Sequence, residues 1–447
     1  MSAEQQYIDL FQTNRNVIDS GCSEGLNHPR QQAFDRFRET GFPRFQSEDY
    51  RQTDCQALFG ENFGMNLHKF KIPARLQDTF RCDVPNIATR QYFMVNDLFH
   101  STGHETKEEK QGIFSGSLNV FAQQYPEVFA GYYNQLPTAT DGLSNFNTAF
   151  VQDGYVLYIP AGVVLEKPLQ LINLLTGRVN ALVNRRLLII VEDGAQAKLL
   201  ICDHTSDIKR RFLVNQVCEI FVGKSALFDF YELEESSEQT VRMQSVYLSQ
   251  QTASNVMVNS VTLTNGHTRN NYSIALEGEQ AALKLYGMAI LDGEKVVDNH
   301  TLIEHKAPHC QSDELFKYVL DDASTGVFSG RIIVEKDAQK TQAYQHNRNL
   351  CTSPSCRMYA KPQLEIYADD VKCSHGLTTG QLDENALFYM RSRGISEAEA
   401  RMLLKFAFMD DVIEGIRLDI LKDRLKRLVE KRFRGELMHC QGCRGRS

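Results

Sequence analysis

Between Phe150 and Leu382 the chain is built from short runs of Val, Ile, Leu, Phe and Tyr, such as Tyr155 to Ile159, Leu187 to Val191 and Val261 to Leu263, broken by Gly, Asn and Asp. Runs of strand length that are rich in β-branched and aromatic residues and closed by turn formers predict β-strands. A weak repeat runs through them: Gly194 precedes Ala197, Gly223 precedes Ala226, Thr252 precedes Asn255 and Glu279 precedes Ala282, with the leading residues 29, 29 and 27 positions apart. A period in that range marks stacked repeats. Coils of this size, each holding two or three short strands, bury a continuous apolar column when stacked, so the expected fold is mainly β, a β-helix or solenoid. The competing fold is a large antiparallel sandwich whose hairpins share the spacing.

The flanks read differently. Residues 1–145 are expected to be mainly helix and loop, with Phe34 and Phe37 at helical spacing between Gln31 and Thr40, and Gly41 and Pro43 as the stop. Residues 146–382 form the β-core and 383–438 a helical C-terminal domain. There Asp383 caps a helix closed by Gly394, and Ser396 with Glu399 makes a capping box for the next. Ala400, Leu403, Leu404, Ala407 and Phe408 are expected on one face of that second helix, extended by Val412 and Ile416. A third helix carries the apolar stripe Leu418, Leu421, Leu425 and Leu428 beside a basic set that includes Lys422, Arg427 and Arg432. It reads as a solvated basic face, with an acidic docking partner as the alternative. Residues 439–447 are a cysteine-containing tail.

With 447 residues, two or three domains are expected. No apolar run approaches the length of a membrane span, and the opening residues MSAEQQYIDLFQTN have neither a basic start nor an apolar core, so a cytoplasmic protein is expected. Lys plus Arg number 49 against 56 Asp plus Glu, a net charge of −7, which argues against a general nucleic-acid binder. Eleven cysteines in such a chain are expected to be reduced thiols, some of them metal ligands.

Candidate chemistry is sparse. In Val371-Lys372-Cys373-Ser374-His375-Gly376 an extended strand would put the Cys373 sulfur and the His375 imidazole on one face, since residues two apart point the same way. Thiolate and imidazole suit iron or zinc, yet two ligands leave a site incomplete, so the rest must come from elsewhere in the fold or from another chain. His439, Cys440 and Cys443 could bind metal or cycle through a disulfide, or form a loose tail; Cys351 and Cys356 bracket a loop. Gly223-Lys224-Ser225 lacks the glycine-rich cradle of a P-loop, so the chain is not expected to hydrolyse ATP. His300, His305, His309 and Cys310 match no metal motif and read as a polar loop or strand edge. No nucleophile elbow or dinucleotide fingerprint is present.

The segment from Lys361 to Gly376, KPQLEIYADDVKCSHG, followed by Phe388-Tyr389-Met390-Arg391-Ser392-Arg393-Gly394, resembles the C-terminal signature of the SufB/SufD family of iron–sulfur cluster assembly scaffolds. Asn147-Thr148-Ala149-Phe150, Asp153-Gly154, Ile159-Pro160-Ala161-Gly162-Val163 and Gly41-Phe42-Pro43 are further matches, and the Cys-Ser-His-Gly form is similar to the SufD side of the family. The resemblance implies a right-handed parallel β-helix between an N-terminal helical region and a C-terminal helical domain. It implies no enzymatic activity in the chain itself. It also implies a heterodimer with a SufB-like scaffold, a transient iron–sulfur cluster shared with that partner, and a SufC-like ATPase docked on the C-terminal helices, so that ATP acts only through the ATPase. His375 would be the cluster ligand and Cys373 its helper, and a homodimer could form when the partner is absent. Two other readings compete with it: a β-helix polysaccharide lyase or hydrolase of the exported type, and a SufB-like scaffold that itself accepts sulfur.

Overall fold

The computed structural model describes residues 3–45, 47–72, 90–100 and 111–436. Within them the strands assemble into a ten-stranded and a nine-stranded sheet, and successive strands from Tyr155 onward alternate between the two. Each coil therefore gives one strand to each sheet. Neighbouring strands pair in parallel: Gln196 with Leu227, Leu227 with Asn255, Asn255 with Ala282, Ala282 with Gln311, Gln311 with Gln342 and Gln342 with Lys372, steps of 31, 28, 27, 29, 31 and 30 residues. This is a parallel β-solenoid. An antiparallel sandwich is ruled out, because among the described residues only the pairs Arg90–Val95 with Leu98–His100 and Phe114–Ser117 with Tyr155–Ile159 run antiparallel, both at the N-terminal end.

The repeat seen in the sequence is a stack of corners. Gly194, Ser225, Ala253, Gln280, His309 and Lys340 all have positive φ, between 55° and 69°. Each donates its backbone N–H to the next coil, to the carbonyls of Lys224, Thr252, Glu279, Pro308, Gln339 and Asp370 in turn. The corner thus falls one or two residues after Gly223, Thr252 and Glu279, because only Gly194 among these corners is a glycine. The backbone ladder holds the others in a conformation that side chains disfavour.

The sheets also take in Arg90–Val95, which pairs in parallel with Leu169–Leu175, so strands from before residue 146 contribute to the solenoid. The N-terminal helices cover the outer face of the nine-stranded sheet: Phe34, Phe37, Phe42, Phe146 and Phe150 pack on Leu182, Leu213, Val241 and Met243. Asp141 caps the helix Gly142–Phe150 through the N–H groups of Leu143 and Ser144. A side chain at Gly142 would put a Cβ 1.8 Å from the Gly41 carbonyl oxygen, so the helix can approach that turn only with glycine there.

The outer face of the ten-stranded sheet is covered by the C-terminal helices. Met409, Val412, Ile413 and Ile416 of Glu397–Glu414 and its exit, with Leu421, Leu425, Leu428 and Val429 of Asp419–Phe433, pack on Leu233, Met257, Val261, Met288 and Ile290. Asp383 and Ser396 cap their helices as expected. The expected face of the second helix is largely the buried one: Ala400, Val412 and Ile416 are buried and Leu404 and Phe408 pack against the same cluster, but Leu403 and Ala407 are exposed and Met402 and Met409 are buried in addition. Lys317 turns the helix, since its buried ammonium donates to the Phe408 carbonyl at 2.7 Å and to Asp411 at 2.5 Å. In the third helix the leucine stripe is buried, but Arg432 is not part of a solvated face. It lies buried against the sheet, donating to the Leu263 carbonyl at 2.7 Å and pairing with Asp292 at 2.7 Å.

Candidate functional site

The solenoid interior is apolar along part of each strand and polar along the rest. Leu283, Leu285, Phe316, Phe328 and Ile332 belong to one continuous core, whereas Arg185 pairs with Asp203 at 2.8 Å, and Arg242 joins Glu234 and Asn270. Gln244 donates to Glu232, Tyr272 to Glu232, Asn270 to Asn299 and Asn299 to Tyr318, so hydrogen bonds pass from coil to coil. Covering both faces of both sheets removes the solvent side on which these polar groups would otherwise sit.

At the C-terminal end the stack stops. Lys372–Gly380 is the edge of the ten-stranded sheet and Arg357–Ile366 the edge of the nine-stranded sheet, and most residues of the former are exposed. Parity sets the faces. Ala343, Gln345, Asn347 and Asn349 of Gln342–Cys351 are buried and inward, and Cys373, His375, Leu377 and Thr379 register on them one by one. Asn349 donates to the Thr379 hydroxyl at 3.1 Å across that step. Cys373 and His375 therefore share the inner face of the last rung, as the two-residue spacing predicts. Cys373 is half-buried against the core, and burial raises its thiol above the ordinary range. His375 is exposed at the open end. Beneath it, Gln345 donates from Nε2 to Glu314 at 2.7 Å, and burial pushes the Glu314 carboxyl up to about 7.

The other sequence candidates do not converge. His300 pairs with Asp298 at 2.8 Å, His305 is buried against the Ser312 hydroxyl at 2.8 Å, His309 is an exposed corner, and the Cys310 thiol donates to the Gly278 carbonyl at 3.2 Å. Gly223-Lys224-Ser225 is a turn between two strands, with no helix after it to cradle phosphate. The Cys351 thiol, at the end of its strand, is raised to about 11 by burial and by the adjoining Cys356 thiol. His439, Cys440 and Cys443 lie outside the described residues. No group of three or more His, Cys, Asp and Glu among the described residues could hold a metal ion. A site built on His375 thus needs ligands from outside the described part of this chain. The sequence reading missed Gln345; its signal is the polar alternation Gln345, Asn347, Asn349, which becomes meaningful only once the register is known.

Residues 174–408 match the family model for the SUF system FeS cluster assembly SufBD core domain, and residues 1–171 match that for the SufBD protein N-terminal region. The chain belongs to the SufBD family of the SUF iron–sulfur cluster assembly system. It is 30% identical over 433 residues to an iron–sulfur cluster assembly SufBD family protein of Synechocystis, covering 95% of both chains. It is also 38% identical over 167 residues to the iron–sulfur cluster assembly protein SufD of Escherichia coli, 37% of this chain and 40% of that one, and 24% identical over 343 residues to SufD of Bacillus subtilis, 75% and 77%. Membership replaces the polysaccharide-cleaving alternative. No helix among the described residues is long and apolar enough to cross a membrane.

Proposed function

We propose that the chain is a non-catalytic, cytoplasmic scaffold subunit that pairs through the open end of its solenoid with a SufB-like partner and shares a nascent iron–sulfur cluster with it. The observation that carries this reading is the placement of His375 and Cys373 together on the inner face of an edge rung. A sheet edge with unpaired backbone groups accepts another strand, so the same feature that exposes the two ligands offers a partner its docking ladder. A ligand set of one imidazole and one thiol is completed by residues of the second chain, and iron accepts both donor types. In this reading the cluster is cargo, held at the seam and handed on.

The C-terminal helices dock the ATPase, which supplies the nucleotide chemistry. Support comes from Phe388 and Tyr389, 75% and 59% exposed on the helix Glu384–Ser392 whose Leu387 is buried. Exposed aromatic pairs of this kind are typical anchors of an interface.

The test is anaerobic cluster reconstitution on the complex co-expressed with its scaffold and ATPase partners, comparing wild type with His375→Ala by visible absorption and by bound iron and sulfide. Loss of the cluster from a complex that still assembles supports the assignment. Unchanged loading in an intact complex rejects it.

A further inference from the structure

Gln345 is fully buried on the inner face of its strand, and its Cα registers directly on that of His375. Its Nε2 donates to Glu314 Oε2 at 2.7 Å, one rung further in, while its Oε1 is buried and has no hydrogen-bond partner. The two atoms leave the same carbon in divergent directions, so with Nε2 held by Glu314 the Oε1 atom is left free for a donor other than that carboxyl. The opposite sheet makes room for this arrangement: a Cβ at Gly330 would lie 2.4 Å from Nε2. A buried acceptor left without a donor is costly, and such a group in a folded protein calls for an explanation. No described group donates to Oε1, and the His375 ring, exposed as it stands, makes no hydrogen bond with it. The neighbour on its outer side is a histidine, whose ring carries one N–H to give and one lone pair to use.

We propose that Gln345 is a positioning residue for His375, accepting the proton-bearing ring nitrogen on Oε1 so that the other ring nitrogen stands deprotonated and turned to the open end as a ligand. This rests on the reading of His375 as a cluster ligand. Ligating histidines are commonly held by an acceptor on the second nitrogen, which fixes tautomer and ring plane and raises basicity. Here the acceptor is itself held, because Glu314 fixes the roll of the amide. Gln345 touches neither iron nor sulfide and acts through the imidazole alone.

The experiment uses the full chain in complex with its partner scaffold, loaded anaerobically with iron and sulfide. Gln345→Leu removes the acceptor and keeps much of the volume; Gln345→Glu, made throughout together with Glu314→Gln so that an amide-to-carboxylate hydrogen bond still joins the two positions, keeps an acceptor oxygen. Cluster content is measured on purified complexes, and pulsed electron paramagnetic resonance of the reduced cluster reads the coupled imidazole nitrogens, including the quadrupole coupling of the remote one. The expected result is a loss of about 10–100-fold in cluster affinity with an altered remote-nitrogen coupling in Gln345→Leu, and retention of both in Gln345→Glu. Gln345→Met, of similar length, is read in the same way should the leucine variant fail to fold. The proposal is overturned if the apolar variant keeps both wild-type loading and the wild-type remote-nitrogen coupling, or if Gln345→Glu falls as far as Gln345→Leu. Failure of the underlying ligand assignment looks different: His375→Ala would then retain the cluster and wild type would show no imidazole coupling.

Discussion

Gly330 and Gln345 face each other across the inside of the solenoid, so closely that a Cβ at position 330 would also crowd the Phe328 ring at 2.7 Å. The two residues come from different sheets and meet because each coil folds one strand over the other. Gly330→Ala is therefore expected to displace the amide and lower stability by about 1–3 kcal/mol, as overpacking does. Gly330→Ala combined with Gln345→Ala should recover part of that loss, because the clash loses its partner. Urea unfolding of the two single variants and the double variant measures the coupling, and simple additivity would count against it.

Arg186 and Glu219 form a fully buried pair outside the solenoid, beneath the N-terminal helices. Glu219 also accepts the backbone N–H groups of Asn134, Gln135 and Leu136, at 2.8, 2.8 and 3.0 Å, and so fastens the loop that leads to the helix Gly142–Phe150. Glu219→Ala leaves a guanidinium and three amides short of an acceptor, with an expected cost of about 3–5 kcal/mol. A loss below about 1 kcal/mol on urea unfolding would show that the loop is held by other means.

The pH dependence of stability should carry the signature of Glu314. Burial raises its carboxyl from the ordinary 4.5 to about 7, so between those values the folded protein keeps a proton that the unfolded chain has released. Stability from this group falls as pH rises through that window, by an amount on the order of 3 kcal/mol. Glu314→Gln should therefore be more stable than wild type at pH 8 and little different at pH 4.5, compared by urea midpoints. The opposite ordering would mean that the carboxylate is held ionised.

His305 acts in the other direction. Burial lowers its imidazole from 6.5 to about 4, so below pH 6.5 the unfolded chain takes up a proton that the folded protein refuses. Its contribution is complete above pH 6.5 and is lost as the pH falls toward 4. His305→Asn should flatten the acid limb of the unfolding profile between those values, an effect that thermal melts at pH 4.5 and 7.5 resolve.

Arg432 ties the third C-terminal helix to the ten-stranded sheet through the Leu263 and Ile290 carbonyls and Asp292, whose carboxyl it helps to hold down at about 2. Arg432→Ala is expected to raise amide hydrogen exchange in Asp419–Phe433 while leaving the solenoid strands protected. Equal exchange in Arg432→Ala and wild type would show that the leucine stripe alone docks the helix.

Much of the architecture was legible because solenoid strands are local and periodic. Tyr155–Ile159 appears with the expected ends, and the spacing of 27 to 29 residues is the coil itself, displaced at its corners because Ser225, Ala253 and Gln280 adopt positive φ without being glycines. The two-residue spacing also placed Cys373 and His375 on one face. What the pattern concealed depended on cover from distant segments. Arg185 and Arg186 are adjacent and carry no signal of burial in the sequence, yet they point to opposite sides of one strand and both are buried, the first in the interior and the second under the N-terminal helices. Leu403 is exposed where the sequence pattern predicts burial, for a similar reason, since Lys317, just over ninety residues before the Phe408 carbonyl, ties the helix down. The register neighbour of His375 in the adjoining rung, Gln345, was invisible until the pairing of the strands was known.

The unfinished end of the stack has a thermodynamic consequence. In a linear array each coil is stabilised by its two neighbours, and the terminal one by a single neighbour, so opening should begin there. The rung that carries His375 is then the first to fray in the lone chain, and whatever covers it gains free energy from ordering it. On the proposed reading of that end as a shared cluster seam, occupancy and association of the chains become linked equilibria: metal loading tightens the assembly by the same factor by which assembly tightens the hold on metal.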